Sequence, residues 1–244
     1  MTARAALVTG ASRGIGARIC ERLADEGWDL VVTARNREQL EHFAAELTER
    51  SGRTVVPVPA DMAELSAAQT VADAFGDIHD RLDALVLNAG MGAIGAFSDF
   101  PIRRLEKLFD VNVRATYALI QQLLPLLRKT GDTSPHGARV IALASMTGLA
   151  AEPLNSAYGA TKAALTSMCE TLTVEEFDRG VNATAVCPGY VATDMTSGLP
   201  GVDAASMISA GDVAEMVLSL TRLTKNVTIP HIPMTRPGPH LWRA

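Results

Sequence analysis

Short runs of β-branched and aliphatic residues alternate with longer stretches of helical period along the whole chain. This alternation restricts the fold more than any single motif does. The runs are Ala5–Thr9, Asp29–Thr33, 54–58, Ala84–Leu87, 139–144 and 182–187, with a weaker one at 227–229. Most are apolar throughout, the pattern of parallel strands covered by helices on both faces. Among the intervening stretches, 103–128 sets Leu105, Leu108, Phe109, Asn112, Thr116, Leu119, Ile120, Leu123 and Leu127 on one stripe at steps of three and four. Another, 156–177, repeats Ala160, Ala164, Met168 and Leu172 at steps of four. Strand–helix alternation without a repeat or a low-complexity linker predicts one α/β domain over residues 1–244. Its sheet is expected to be doubly wound and mostly parallel, with about seven strands and helices on both faces. The Gly- and Pro-containing pieces 129–137 and 197–201 are expected to be loops.

The first run ends in Thr9-Gly10-Ala11-Ser12-Arg13-Gly14-Ile15-Gly16 and leads into a helical stretch. Glycines at such a corner permit a tight turn, close approach of a phosphate to the backbone, and helix-on-strand packing. The helix that starts there points free amides and its positive dipole end at a pyrophosphate. Gly10, Ser12 and Gly14 also satisfy Gly-x-Ser-x-Gly, the nucleophile elbow of α/β-hydrolases. That elbow needs an oxyanion hole from a loop after an earlier strand, and within this chain only nine residues precede Gly10.

Tyr158 and Lys162 lie four apart on a predicted helix, so their side chains emerge on one face. A phenol with a pKa near 10 exchanges protons poorly at neutrality, and a neighbouring ammonium is expected to lower that pKa. Taken singly, such a pair is an ordinary helix surface, and Ser145 after the fifth run can simply cap a helix. Asn112 is less ordinary, because an unpaired amide on an apolar stripe is costly.

Together these residues resemble, in order and spacing, the short-chain dehydrogenase/reductase family over nearly the whole chain. The glycine loop is similar to its TGxxxGxG signature, and Asn88-Ala89-Gly90 to its NAG segment beside the adenine. Asn112, Ser145, Tyr158 and Lys162 are similar to its active site, and Pro188-Gly189 with Thr193 to the segment that closes over the nicotinamide. The resemblance implies a Rossmann-type fold and hydride transfer between a nicotinamide dinucleotide and a carbonyl or secondary alcohol. It makes Tyr158 the acid/base and Lys162 its pKa partner and a ligand of the ribose. Ser145 would orient the substrate oxygen, and Asn112 would anchor a water linking Lys162 to solvent. Gly10, Ser12, Arg13, Gly14, Ile15 and Gly16 are then cofactor-binding, as are Asn88, Ala89, Gly90, Pro188, Gly189 and Thr193. Asp61-Met62 resembles the pair bordering the adenine.

No carboxylate follows the second run, where NAD enzymes place one; Ala34-Arg35-Asn36-Arg37 stands there instead. A guanidinium grips a 2′-phosphate with paired bonds, so the expected cofactor is NADP(H), held by Arg35 with Arg13. The closest general resemblance is to 3-oxoacyl carrier-protein reductases and broad carbonyl reductases. The stretch after the last run, Ile229-Pro230-His231, lacks the Asp-Gly-Gly of many relatives, which leaves the substrate open. Met195, Leu199, Val202 and Met207 are expected in an apolar lid. The resemblance puts Glu152, between Ser145 and Tyr158, where substrate-facing residues commonly occur, while the residues themselves read as a solvated loop carboxylate. Family members are usually dimers or tetramers, so a homodimer or homotetramer is expected. A non-catalytic dinucleotide sensor on the same fold is the rival, but such proteins generally lose the Tyr or Lys kept here.

The charge balance, 22 basic against 27 acidic residues, gives −5 and offers no footprint for nucleic acid or anionic membrane. No apolar run approaches a membrane span, and the N-terminus shows no cleavage-site pattern, so the expected address is the cytoplasm. The three cysteines are scattered and the five histidines lack ligand spacing, so neither a disulfide framework nor a metal site is expected.

Overall fold

A computed structural model describes residues 3–197 and 204–238. Seven strands form one sheet: β1 (Ala5–Thr9), β2 (Asp29–Thr33), β3 (Val55–Pro57), β4 (Ala84–Leu87), β5 (Ala138–Leu143), β6 (Val181–Pro188) and β7 (His231–Met234). Their order is β3-β2-β1-β4-β5-β6-β7, and every pairing is parallel, so the sheet is wholly and not just mostly parallel. The helices are α1 (Gly14–Asp25), α2 (Arg37–Ser51), α3 (Ala67–Ile78), α4 (Ile102–Phe109), α5 (Ala115–Thr133), α6 (Ser156–Glu176) and α7 (Ala210–Arg222).

The two-residue period of β1 divides the core. Ala5 and Leu7 enter the layer of α3, α5 and α6 with Phe75, Leu119 and Leu165; Ala6 and Val8 enter that of α1, α2 and α7 with Ile19, Leu40 and Val217. Apolar runs were required because both faces are buried. Strand order reverses between β1 and β4, and a doubly wound sheet opens its binding crevice at the carboxyl ends of the strands beside such a switch point.

Three sequence expectations shift. The last strand is His231–Met234, paired with Ala185–Pro188, and not 227–229. The earlier stretch is a loop whose carbonyls at Leu223, Thr224 and Val227 are bound by the buried Arg139 guanidinium. Secondly, α5 runs on to Thr133, into the first part of the expected loop 129–137, and leaves 134–137 as the loop. Gly131 within it has a packing reason: the helix crosses Arg179-Gly180 so closely that a Cβ would meet the Arg179 carbonyl oxygen. Thirdly, 103–128 is not one α-helix: α4 and α5 join through a π-helical turn, Asp110–Arg114, that carries Asn112.

Candidate active site

The glycine loop is built at the switch point. Gly10 and Gly14 take φ of +65° and +57°, left-handed conformations that glycine adopts freely. A Cβ on Gly16 would clash with the Gly10 carbonyl oxygen, so α1 starts in close contact with the turn. Asn88 Nδ2 donates to the carbonyls of Thr9 and Gly10 at 3.0 and 2.9 Å, and Thr9 Oγ1 accepts from the Asn88 and Ala89 amides at 3.0 and 2.9 Å. The ends of β1 and β4 are thereby fastened together. No side chain caps the N-terminus of α1, where Arg13 is the N-cap residue. An uncapped twelve-residue helix behind a cradle that a Cβ would fill fits the pyrophosphate of a dinucleotide.

The turns after β1, β2 and β3 are also linked, Ala11 N to the Thr33 carbonyl and Ala60 N to the Ala34 carbonyl, both at 3.1 Å. This sets Arg35, exposed after β2, along the same edge as the glycine loop. Asp61, after β3, is exposed and accepts from the Ala63 amide at 3.0 Å, while Met62 is buried in the core. Arg13 pairs with Asp194 at 3.0 Å. Ser12 lies in the turn itself, and no histidine lines the adjoining cleft, so nothing among the described residues equips it as a hydrolase nucleophile.

Ser145, Tyr158 and Lys162 converge on that cleft, whose volume is about 410 Å³. Ser145 Oγ accepts from Thr147 N at 3.2 Å and from Thr147 Oγ1 at 2.9 Å. A hydroxyl has one hydrogen and two lone pairs. Both lone pairs being engaged, Ser145 is left with its hydrogen to donate, and in the resting cleft Tyr158 is its partner. The Tyr158 phenol is pushed up to about 12 by burial, opposed by its hydrogen bond with Ser145. The expected lowering by Lys162 does not set this phenol: burial raises it, and what opposes burial is the Ser145 hydrogen bond. Lys162 Nζ lies 5.5 Å from the Tyr158 ring centroid and donates to the Leu143 carbonyl at 2.6 Å; burial lowers the ammonium to about 8.

Asn112 is buried, and both of its amide hydrogens are committed, to the Met91 carbonyl and to Thr161 Oγ1, each at 3.0 Å. Its Oδ1 accepts from Met91 N at 2.9 Å, leaving one lone pair for the expected water. Thr161 Oγ1 in turn donates to the Tyr158 carbonyl at 2.7 Å, so Asn112 also anchors the first turns of α6. Gly90 faces this group: a Cβ there would lie 3.3 Å from Asn112 Oδ1 and 3.6 Å from Lys162 Nζ.

Ile15, Asn88, Gly90, Pro188, Gly189 and Thr193 line the cleft as expected, and Met195 joins them. Ala89 packs instead against the core, and Met207 lies outside the lining; Leu199 and Val202 fall outside the described residues. Glu152 is not a solvated loop carboxylate. It is half-buried in the cleft wall and accepts from the Tyr190 hydroxyl at 2.8 Å and from Asn155 Nδ2 at 3.0 Å. Sequence reasoning missed Thr147, Asn155, Tyr190 and Arg104, which also line the cleft. Thr147, Asn155 and Tyr190 stand in turns and loops, whose spacing carries no periodic signal, and Arg104 is an exposed residue of α4.

The sequence pattern described as short chain dehydrogenase matches residues 4–201. The chain belongs to that family. Similar proteins include the rhamnolipids biosynthesis 3-oxoacyl-acyl-carrier-protein reductase of Pseudomonas aeruginosa, 36% identical over 197 residues, 80% of this chain and 76% of that protein. Sulfoacetaldehyde reductase 2 of Chromohalobacter salexigens is 30% identical over 248 aligned positions, 98% and 96% of the two chains. Among solved structures, the Pseudomonas aeruginosa RhlG/NADP active-site complex superposes with a TM-score of 0.85 at 30% identity, covering 96% of each chain. The Thermococcus sibiricus alcohol dehydrogenase complexed with 5-hydroxy-NADP gives 0.87 at 25% identity, covering 97% of this chain and all of the other. As a short chain dehydrogenase the protein is an oxidoreductase, and none of its described helices is long and apolar enough to cross a membrane.

Proposed function

We propose that this short chain dehydrogenase reduces a small carbonyl with NADPH, and that residues 1–244 work as one domain. The observation that carries the reading is the Tyr158 phenol, kept protonated by burial and hydrogen-bonded to Ser145 beside the Lys162 ammonium. Bound NADPH supplies the hydride. Ser145, its lone pairs engaged by Thr147, turns its hydrogen from the Tyr158 oxygen to the carbonyl oxygen and holds it against Tyr158. As the carbonyl carbon gains hydride, the C=O π pair moves onto oxygen, which takes the Tyr158 proton to give the alcohol. The resulting phenolate faces Lys162, which stabilises it and, with its lowered pKa, passes a proton back from solvent. Overall, carbonyl, NADPH and one solvent proton give alcohol and NADP+.

The cradle of Gly10, Ser12, Gly14, Ile15 and Gly16 would hold the pyrophosphate, Arg35 and Arg13 the 2′-phosphate, and Lys162 the nicotinamide ribose. Asp61, Met62 and 88–90 border the adenine side, and Pro188, Gly189 and Thr193 the nicotinamide side. The relatives solved with NADP bound support this cofactor. The exposed Tyr117 on α5 and Val174 on α6, with Phe177 just beyond, support a homodimer or homotetramer packed through these helices. The enzyme is read as cytoplasmic, and the balance of 22 basic against 27 acidic residues supports one without a nucleic-acid or anionic-membrane partner.

General acid/base catalysis contributes about 10² to 10⁴ in rate, so Tyr158→Phe is expected to lose at least ~100-fold in NADPH-dependent turnover while still binding NADPH. Near-native turnover in the folded Phe variant rules out this assignment.

A further inference from the structure

The wall of the cleft opposite the glycine loop contains a group that the reduction of a plain carbonyl does not use. Glu152, Pro153, Leu154 and Asn155 form a turn closed by Asn155 N donating to the Glu152 carbonyl at 3.3 Å. Pro153 at its second position and a positive φ at its third fit a type II turn. The third residue is Leu154, at φ +67°, the one described non-glycine residue with a positive φ. Such a conformation is unfavourable for a residue with a Cβ. Strain of this kind persists where surrounding contacts hold it, and it collects at functional sites. Here the contacts are the Leu154 carbonyl accepting from Gly95 N at 2.9 Å, and the side chains of the turn's two ends, Glu152 Oε2 accepting from Asn155 Nδ2.

The turn therefore holds a carboxylate in the cleft in one orientation. Glu152 Oε1 accepts from Tyr190, whose phenol burial and Glu152 push up to about 12, so it stays a donor. A carboxylate accepts about four hydrogen bonds. Two are supplied by the protein, which leaves others unused on a residue that lines the same cavity as Ser145 and Tyr158. The cavity is small, about 410 Å³, and part of it must admit the nicotinamide. A substrate whose carbonyl is held by Ser145 and Tyr158 therefore shares its space with this acceptor edge. The charged side chains in the lining are Arg104, Lys162 and Glu152, a net positive set that gives a cationic substrate no advantage.

We propose that the substrate is a small neutral hydroxyketone or hydroxyaldehyde, whose hydroxyl, close to the carbonyl, donates to Glu152. Tyr190 and Asn155 position that carboxylate. The inference rests on the reductase reading above and adds the substrate class to it.

The experiment measures kcat/KM with NADPH for matched ketones: 2-butanone, 1-hydroxy-2-butanone, 1-amino-2-butanone and 2-oxobutanoate. Wild type is expected to favour the hydroxyketone over 2-butanone by about ten-fold or more, the worth of one hydrogen bond to a charged group. Glu152→Gln is expected to cut that ratio about ten-fold, and Tyr190→Phe, which leaves the carboxylate charged but less fixed, by a smaller factor. A ratio of efficiencies does not depend on the folded fraction, so partial misfolding of a variant does not disturb it. Calorimetry of the same ketones on the NADP+ complex of Tyr158→Phe reads the preference without turnover. An equal efficiency for both neutral ketones, a ratio unchanged in Glu152→Gln, or a preference for the amine or the acid overturns the proposal. In each of those cases reduction still proceeds; a wild type that binds NADPH but reduces no carbonyl defeats the reductase reading instead.

Discussion

Lys162 carries its ammonium in one of the least hydrated places in the molecule, and the cost of that placement sets two pH dependences. Burial lowers its pKa from the ordinary 10.5 to about 8, so between these values the unfolded chain binds a proton there that the folded chain does not. Stability rises with pH wherever the unfolded state binds more protons, so the ammonium destabilises the fold fully below pH 8. That cost is relieved as pH rises towards 10.5. Lys162→Met lacks the group, and its Tm advantage over wild type is expected to shrink from pH 7 to pH 10 in thermal scans. Activity moves the other way. The charged ammonium stabilises the Tyr158 phenolate, so kcat/KM for reduction is expected to fall about ten-fold per unit above pH ~8. A profile level to pH 10, or a Tm gap that widens, removes Lys162 from this role.

At the scale of elements, what the sequence revealed and what it hid have the same cause, the range of the contacts involved. The four-residue step from Tyr158 to Lys162, the apolar runs of β1, β2 and β4, and the Gly10-to-Gly16 corner are local patterns, and each stands where its spacing put it. The misplaced β7 and the overrun of α5 depend on partners far along the chain: Arg139 takes the carbonyls of 223–227, and Gly180 accepts the close approach of Gly131. Pro233 hid β7 further, since proline argues against a central strand; β7 is an edge, where a missing donor is tolerated. The outlines of the site were similarly local, but Thr147, Tyr190 and the true setting of Glu152 arise only when loops after β5 and β6 meet. The helix–turn contact that holds Ser145 to Tyr158 is another such long-range feature. A Cβ on Gly159 would lie 2.7 Å from the Thr147 carbonyl oxygen, and one on Gly148 2.7 Å from the Lys162 carbonyl carbon. Gly159→Ala must therefore push α6 away from the Met146–Gly148 turn. Overpacking of this kind costs about 1–3 kcal/mol, and a 1 Å misplacement at a reacting centre can cost ~100-fold in rate. We expect Tm to fall by about 2–12 °C and kcat to drop at least ~10-fold. Native Tm and kcat together would show that the turn has room to yield.

The whole molecule places its cofactor groups by topology. A wholly parallel sheet sends every strand's carboxyl end to one rim, and the reversal between β1 and β4 opens that rim in the middle. The turns after β1, β2 and β3 are tied side by side along it through Ala11 to Thr33 and Ala34 to Ala60, so Arg13 and Arg35 share one border. The arginines there differ in what they hold. Arg37 pairs with Glu41 at 3.1 Å and Arg13 with Asp194 at 3.0 Å, whereas Arg35 has no ion-pair partner among the described residues. Both ends of the Arg13–Asp194 pair are largely exposed, and exposed pairs contribute about 0–1 kcal/mol. A phosphate dianion offers a guanidinium stronger, bidentate bonds, so a 2′-phosphate is expected to draw Arg13 from Asp194 and to engage Arg35 directly. Wild type should then favour NADPH over NADH by about ten-fold or more in kcat/KM, and the preference should weaken with added salt. Arg35→Asp is expected to abolish or reverse it. Asp194→Asn, which frees Arg13 of its competitor, is expected to tighten NADPH binding by a few-fold and leave NADH unchanged. Equal gains for both cofactors in Asp194→Asn would mean that this residue acts on the lid and not on the phosphate. A wild type that prefers NADH, or an Arg35→Asp variant that keeps the NADPH preference, would take the phosphate site away from this border altogether.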